Sequence, residues 1–295
     1  MSIPQEELTL RWTKLQEAMA REDLDGLLVF ANPLKTAALH YVANYTLIGS
    51  RACCYLAPAG PPVLLISEPW DLERARGESP INDIRVLGRD WPQELTACCG
   101  SRSGQLGLAG REIMGRQDLQ ALETALGRET VSASRLMEDL ATIKSHYERA
   151  LIRAAAGMAD AGFMRALAVM RLGLPDYELG AEIDYAMRRM GATDNFQMLA
   201  VGKQNTGMLL PIGKKVERGD LILFEITPES GSETYAAQLC RTAICGASPD
   251  ALLQEKYHLL REALETSLSI IRPGVMIGEV ARLQNKIIEK AGYGE

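Results

Sequence analysis

The stretch "GDLILFEITPESGSETYAAQLCRT", residues 219–242, decides how the second half of the chain reads. Two apolar runs flank a polar turn at 229–233, the pattern of a two-stranded hairpin. Side chains alternate across a strand, so Leu221, Leu223, Glu225 and Thr227 share one face and Ile222, Phe224 and Ile226 the other. On the partner strand Ala236, Gln238, Cys240 and Thr242 oppose Tyr235, Ala237, Leu239 and Arg241. Apolar groups on both faces predict a sheet covered on both sides. Glu225 and Gln238 stand where a core wants apolar groups, and two readings stay open. The pair sits wet at the rim, or it is a buried polar pair, in which case the carboxylate needs partners or takes a proton.

Working back from the hairpin, "NFQMLAVG" (195–202) reads as a strand, with a short strand piece near Met208–Leu210. From about Ala133 to Arg171 the chain reads as helix, with a stripe at Leu151, Ala154, Ala155, Met158 and Ala161. "RLGLPD" (171–176) breaks it, and Asp176 is placed to cap a helix running to about Met190. After the hairpin, Ser248 and Pro249 read as N-cap and first residue of a helix with the stripe Leu253, Tyr257, Leu260, Leu264, Leu268 and Ile271. "RPG" (272–274) ends it, and a last helix spans about Ile277 to Ala291. The order suits an α+β domain whose helices back a curved antiparallel sheet. Strands from 195–246 alone leave an unpaired edge, so the chain is expected to be cut short after Glu295 and, as it stands, inactive.

The first half differs in texture. A helix over Gln5 to Arg21 carries Leu8, Trp12, Leu15 and Met19 at spacings of three to four. Strands follow at 25–32, 52–58, 61–67, 84–88 and 105–110, with helical pieces near 69–76, 90–99 and 116–126. This alternation predicts an α/β domain over 1–134, and the α+β domain then occupies 135–295.

Composition narrows the function. The chain has 295 residues, is 47% hydrophobic and carries a net charge of -6. Basic clusters are short, so nucleic acid is not an expected partner. No apolar run reaches the length of a membrane span, and the N-terminus is not a secretory signal. Six cysteines without C-x-x-C spacing read as buried free thiols in a reducing, cytoplasmic setting. Three histidines, His40, His146 and His258, do not make a His-rich metal site.

Together, "ERGDLILFE" and "YAAQLCRT" resemble the signature of the creatinase/prolidase family, the pita-bread hydrolases. "IKSHYERALIRAA" (143–155), "SIIRPGVMIGEV" (269–280) and "RWTKLQEAMAREDLDGLLVF" (11–30) are similar to three further family segments, in family order. The resemblance implies an α/β N-terminal domain and an α+β pita-bread domain. In metal-dependent members one acid stands five residues after the G-D aspartate and another three before the Arg of R-T. Here those positions hold Glu225 and Gln238, and the place of a substrate-contacting histidine holds Met208. An amide in place of a bridging carboxylate weakens any site for paired cations. The sequence-level expectation is therefore no metal ligand and no cofactor.

By resemblance, the expected activity is a metal-independent hydrolase of the creatinase or ectoine hydrolase kind, cleaving a C–N bond of a small polar amide or amidine-type compound. Glu225 is then the catalytic candidate. Gln238 and Met208 are substrate-binding, joined by Phe196, which also reads as core, and by Arg51, which also reads as a plain surface arginine. Arg241 reads as structural, paired with an acid behind the sheet. The alternative is an Xaa-Pro-directed metallopeptidase using Mn, Co or Zn. A second alternative is a catalytically dead binding protein. The partners expected are a small-molecule substrate and a second copy in a homodimer.

Overall fold

The computed structural model describes residues 3–100, 104–205, 207–230 and 235–294. Backbone contacts divide the chain into two compact units. One comprises Met1–Ala166, Glu182–Gln197 and Glu225–Leu239, and the other Leu167–Ala181, Met198–Phe224 and Cys240–Glu295.

The first unit is built on a six-stranded mixed sheet of order β4-β3-β2-β1-β5-β6. Its strands are β1 (Leu24–Ala31), β2 (Ala52–Leu56), β3 (Val63–Ile66), β4 (Asp83–Val86), β5 (Gln105–Ala109) and β6 (Val131–Ser132). β1 runs antiparallel to β2 and parallel to β5. Its unbroken apolar run follows from burial on both faces. Leu27, Val29 and Ala31 pack with α1 (Gln5–Arg21), α2 (Ala37–Ala43) and α6 (Ser134–Thr142). Leu28 and Phe30 pack on the other side with α4 (Trp91–Cys99) and α5 (Arg116–Leu126). α3 (Leu72–Glu78) leads into β4. Leu8, Leu15 and Met19 of α1 are fully buried, each contributing about 1.5–3 kcal/mol.

The predicted helix over 133–171 divides into α6 and α7 (His146–Val169), parted at Ile143–Ser145. Ser145 and Glu148 form a reciprocal capping box. Ser145 N donates to Glu148 Oε2 at 2.7 Å and Glu148 N to Ser145 Oγ at 3.1 Å. On α7, Gly162 leaves space for α8 (Asp176–Arg189), since a Cβ there would lie 3.1 Å from Ile183 and Met187.

Asp176 departs from its expected role. Its carboxylate accepts from Ile212 N (3.0 Å) and Gly213 N (2.8 Å), tying down a distant loop instead of the first turn of its own helix. A three-stranded sheet of order β7-β8-β9 follows, formed by β7 (Asn195–Gly202), β8 (Leu221–Pro228) and β9 (Leu239–Ile244). The turn expected at 229–233 lies partly outside the described residues. No strand forms near Met208–Leu210 among the described residues; Leu209 only accepts from Leu199 N, at 2.7 Å.

α9 (Ala251–Ile270) and α10 (Ile277–Lys290) follow. α9 is capped by Asp250, whose carboxylate accepts from Leu253 N at 2.8 Å, two residues after the predicted Ser248. The predicted α9 stripe is not core: Tyr257, Leu260, Leu264, Leu268 and Ile271 are all more than half exposed, while Ala263 and Ser267 are buried. Among the described residues, no helix is long and apolar enough to cross a membrane.

Candidate functional site

The strand that carries Glu225 is launched by a tight turn. Gly219 adopts φ +81, a region that costs other residues a Cβ clash. Asp220 is buried, and its carboxylate accepts from Glu217 N at 2.9 Å. The G-D dipeptide is therefore a turn-closing device, and alternation begins from it. Ile222, Phe224, Ile226 and Pro228 are buried, while Leu221, Leu223, Glu225 and Thr227 are half-buried. The strand is thus covered on one face rather than both, so its polar groups lie on the wetter side.

The structure brings Glu225 and Gln238 together. Gln238 Nε2 donates to Glu225 Oε1 at 2.6 Å, with Gln238 exposed and Glu225 half-buried. The wet-rim reading is the closer of the two. With one amide N–H engaged, the pair still offers the second N–H of Gln238 and two acceptors, the second oxygen of Glu225 and the amide oxygen of Gln238. Thr227 lies on the same face, with Oγ1 buried and without a hydrogen-bond partner. The pair carries one formal negative charge. It can receive an ammonium, an amide N–H or a cation.

The first unit also holds a buried polar network that the sequence reading missed. Arg11 is 2% exposed. Its Nε donates to Glu7 (2.9 Å), Nη1 to the Tyr41 carbonyl (3.1 Å) and Nη2 to Tyr235 Oη (3.1 Å). The Tyr235 hydroxyl in turn donates to Glu148 Oε1 at 3.1 Å. Burial alone would pull the Arg11 pKa down, but Tyr235, Glu148 and Glu7 lift it above its ordinary value. Burial raises the Tyr235 pKa, with Glu148 adding to the rise and Arg11 opposing it. His40 stands edge-on to Tyr235, ring centroids 6.2 Å apart, with a buried Nδ1 that has no hydrogen-bond partner. Burial, then the charge of Arg11, lowers its pKa to about 4. The Ser-x-x-Glu spacing at 145–148 was the one local signal for this network.

The other predicted residues are placed separately. Phe196, on β7, is 52% exposed and so is not core. Met208 is half-buried in the segment after β7. Arg51 precedes β2; its guanidinium lies over the Trp91 ring, 4.9 Å from the centroid, and 3.4 Å from Asp118. It is therefore not a bare surface arginine, and its partners are those two residues, not Glu225. Arg241 is exposed and donates to the Cys240 carbonyl, and no acid pairs with it among the described residues. The cysteines form no disulfide among the described residues, but only Cys53, Cys54, Cys99 and Cys245 are buried, and Cys240 is exposed. Burial pushes Cys53 and Cys99 up to about 12.

A mixed α/β unit followed by a helix-backed, polar-faced hairpin defines the two-domain pita-bread class of hydrolase fold. The chain matches the creatinase/prolidase N-terminal domain over residues 11–141 and metallopeptidase family M24 over residues 150–295. It belongs to the creatinase/prolidase family. It is 25% identical over 290 residues to the Xaa-Pro dipeptidase of Pyrococcus horikoshii, covering 96% of this chain and 77% of that protein. It is 28% identical over 291 residues to that of Pyrococcus furiosus, covering 97% and 78%. The crystal structure of the prolidase from Pyrococcus horikoshii OT3 superposes with a TM-score of 0.83 over 97% of this chain and 79% of that one, at 22% identity.

These matches correct the expectation that no cofactor belongs to this protein: the half of the chain with Glu225 and Gln238 matches a metallopeptidase family. The chain's own donors were tested against that metal. Among the described residues no three His, Cys, Asp or Glu side chains cluster, and Glu225 meets an amide where a second acid would serve. One carboxylate and one amide oxygen do not complete a metal centre.

Proposed function

We propose that this protein is a prolidase-type hydrolase acting on small Xaa-Pro peptides. The observation that carries this reading is its kinship with two Xaa-Pro dipeptidases along nearly its whole length. The site chemistry supports it. The free acceptors of Glu225 and Gln238 suit the charged amine or amide N–H of a short peptide. Glu225 is assigned the role of the group that holds or moves a proton there, and Gln238 and Phe196 the role of substrate contacts. The expected setting is a cytoplasmic homodimer.

Hydrolysis of a panel of Xaa-Pro dipeptides by the full-length protein, with and without added manganese or cobalt, tests the proposal. Turnover of Xaa-Pro but not of Xaa-Ala peptides supports it; no turnover across the panel under either condition overturns it. The negative charge and free acceptors of the pair favour one second reading, a C–N hydrolase of a small amidine or guanidino compound. That reading gains if such compounds turn over and dipeptides do not.

A further inference from the structure

We infer that Tyr235 is a positioning residue for the candidate site, holding Gln238 against Glu225 by a hydroxyl clamped between Arg11 and Glu148. Only the kinetic arm of the test rests on the peptide-hydrolase reading.

Three observations carry the inference. The first is the cost of what is buried. A guanidinium and a carboxylate lie 2% and 3% exposed, and burying both is expensive unless each is paired and hydrogen-bonded. Their direct approach is loose, with Arg11 Nη2 at 3.8 Å from Glu148 Oε1. The tighter link runs through the Tyr235 hydroxyl, which accepts from one and donates to the other at 3.1 Å each. Tyr235 is thus the bridge of the network.

The second is where Tyr235 sits. It lies three residues before Gln238 and is fully buried. Its carbonyl accepts from Ser230 N at 3.1 Å, Ala236 bridges Glu229, and Ala237 N donates to the Pro228 carbonyl at 3.3 Å. A short ladder thus runs from the clamped tyrosine to the residue beside Gln238.

The third is that the clamp is rigid on its far side. Arg11 is also held by Glu7 and the Tyr41 carbonyl, and Glu148 by the capping box of α7. The exposed Gln238, by contrast, has one described side-chain hydrogen bond, to Glu225. Its register depends on the backbone that leads to it.

The test uses the full chain and Tyr235→Phe, which deletes the hydroxyl and keeps the buried ring. Hydrogen exchange is followed at the amides of Ala236–Cys240 and, as reference, at those of β1 and β5. The expected result is at least a tenfold loss of protection at 236–240 with β1 and β5 unchanged. Glu148→Gln, whose amide oxygen still accepts from the hydroxyl, keeps the local protection. Unchanged protection at 236–240 overturns the inference, and so does an equal loss everywhere, which marks a merely structural residue. If Tyr235→Phe fails to fold, Arg11→Lys, which cannot span the same contacts, is read by the same criteria.

The kinetic arm measures an Xaa-Pro dipeptide. KM rises five- to tenfold in Tyr235→Phe while kcat moves less than twofold, because Gln238 is displaced and Glu225 is not. An unchanged KM in an active protein counts against the inference. If the unmodified protein turns over no dipeptide, the functional reading fails and the exchange arm alone decides the role of Tyr235.

Discussion

Gln238 Nε2 and Glu225 Oε1 are 2.6 Å apart, so one amide N–H is committed to the carboxylate and the pair faces any ligand with two acceptors, one remaining N–H and a single negative charge. Replacing the amide by an acid changes both properties at once. Gln238→Asp sets two carboxylates side by side, which repel unless a cation joins them. Divalent manganese or cobalt, titrated calorimetrically, is expected to bind this variant at least about tenfold more tightly than the unmodified protein, a gain of about 1.4 kcal/mol. Equal affinities would show that position 238 does not face the metal.

Glu225 is half-buried and its loss removes little packing. Glu225→Gln is expected to lower turnover of an Xaa-Pro dipeptide by about a hundredfold or more. The melting temperature should stay within about 2 °C, as for other substitutions that leave the core intact. Scanning calorimetry beside the assay separates the two effects.

Removing one charge of the buried pair leaves the other uncompensated. Arg11→Met is expected to destabilise by about 3–5 kcal/mol in urea unfolding, far more than an exposed arginine contributes. Arg11→Met with Glu148→Leu together should cost less than the sum of the two single changes, because the double variant removes the lone charge at position 148 and leaves only Glu7 without its partner.

His40 gives the fold an acid-sensitive contribution. Its pKa is about 4 in the folded chain, against an ordinary 6.5. The unfolded chain therefore takes up this proton first as pH falls. Stability from His40 is fully present above about 6.5 and is lost progressively toward 4, to a limit of about 3 kcal/mol. Beside burial, the charge of Arg11 holds the proton off. Unfolding curves between pH 4 and 7 should flatten in His40→Asn; an unchanged slope would assign the acid sensitivity to other groups.

Thiol accessibility offers a check on the arrangement of the strands. At pH 8 a disulfide reagent should label Cys240 within minutes, while Cys53, Cys54 and Cys99 stay unlabelled until the chain is denatured, since burial disfavours their thiolates.

Periodicity was a good guide wherever one element supplied its own reason for being. α1 follows from the spacing of Leu8, Trp12, Leu15 and Met19, and β7 from the run at 195–202. α2 was invisible because its stabilisation comes from elsewhere: Arg11 and Trp12 satisfy the carbonyls of Tyr41 and Val42, and Asn44 ends the helix in the left-handed region. At the start of α9 two capping residues, Ser248 and Asp250, compete within "SPD", and the carboxylate of Asp250 reaches the Leu253 amide. The meeting of Glu225 and Gln238 was legible from strand alternation and motif spacing. The orientation of the amide was not, nor was the network around Tyr235, because its members come from positions 11, 148 and 235 and share no local pattern.

The contact between Arg11 and Tyr235 spans 224 positions of the chain. At roughly 5–20 residues per second, a ribosome delivers the tyrosine some 11–45 s after the arginine. Throughout that interval the guanidinium has water where the hydroxyl will later be. The first unit therefore cannot finish drying its interior while its N-terminal portion alone has emerged, and its last step of maturation waits for the hairpin.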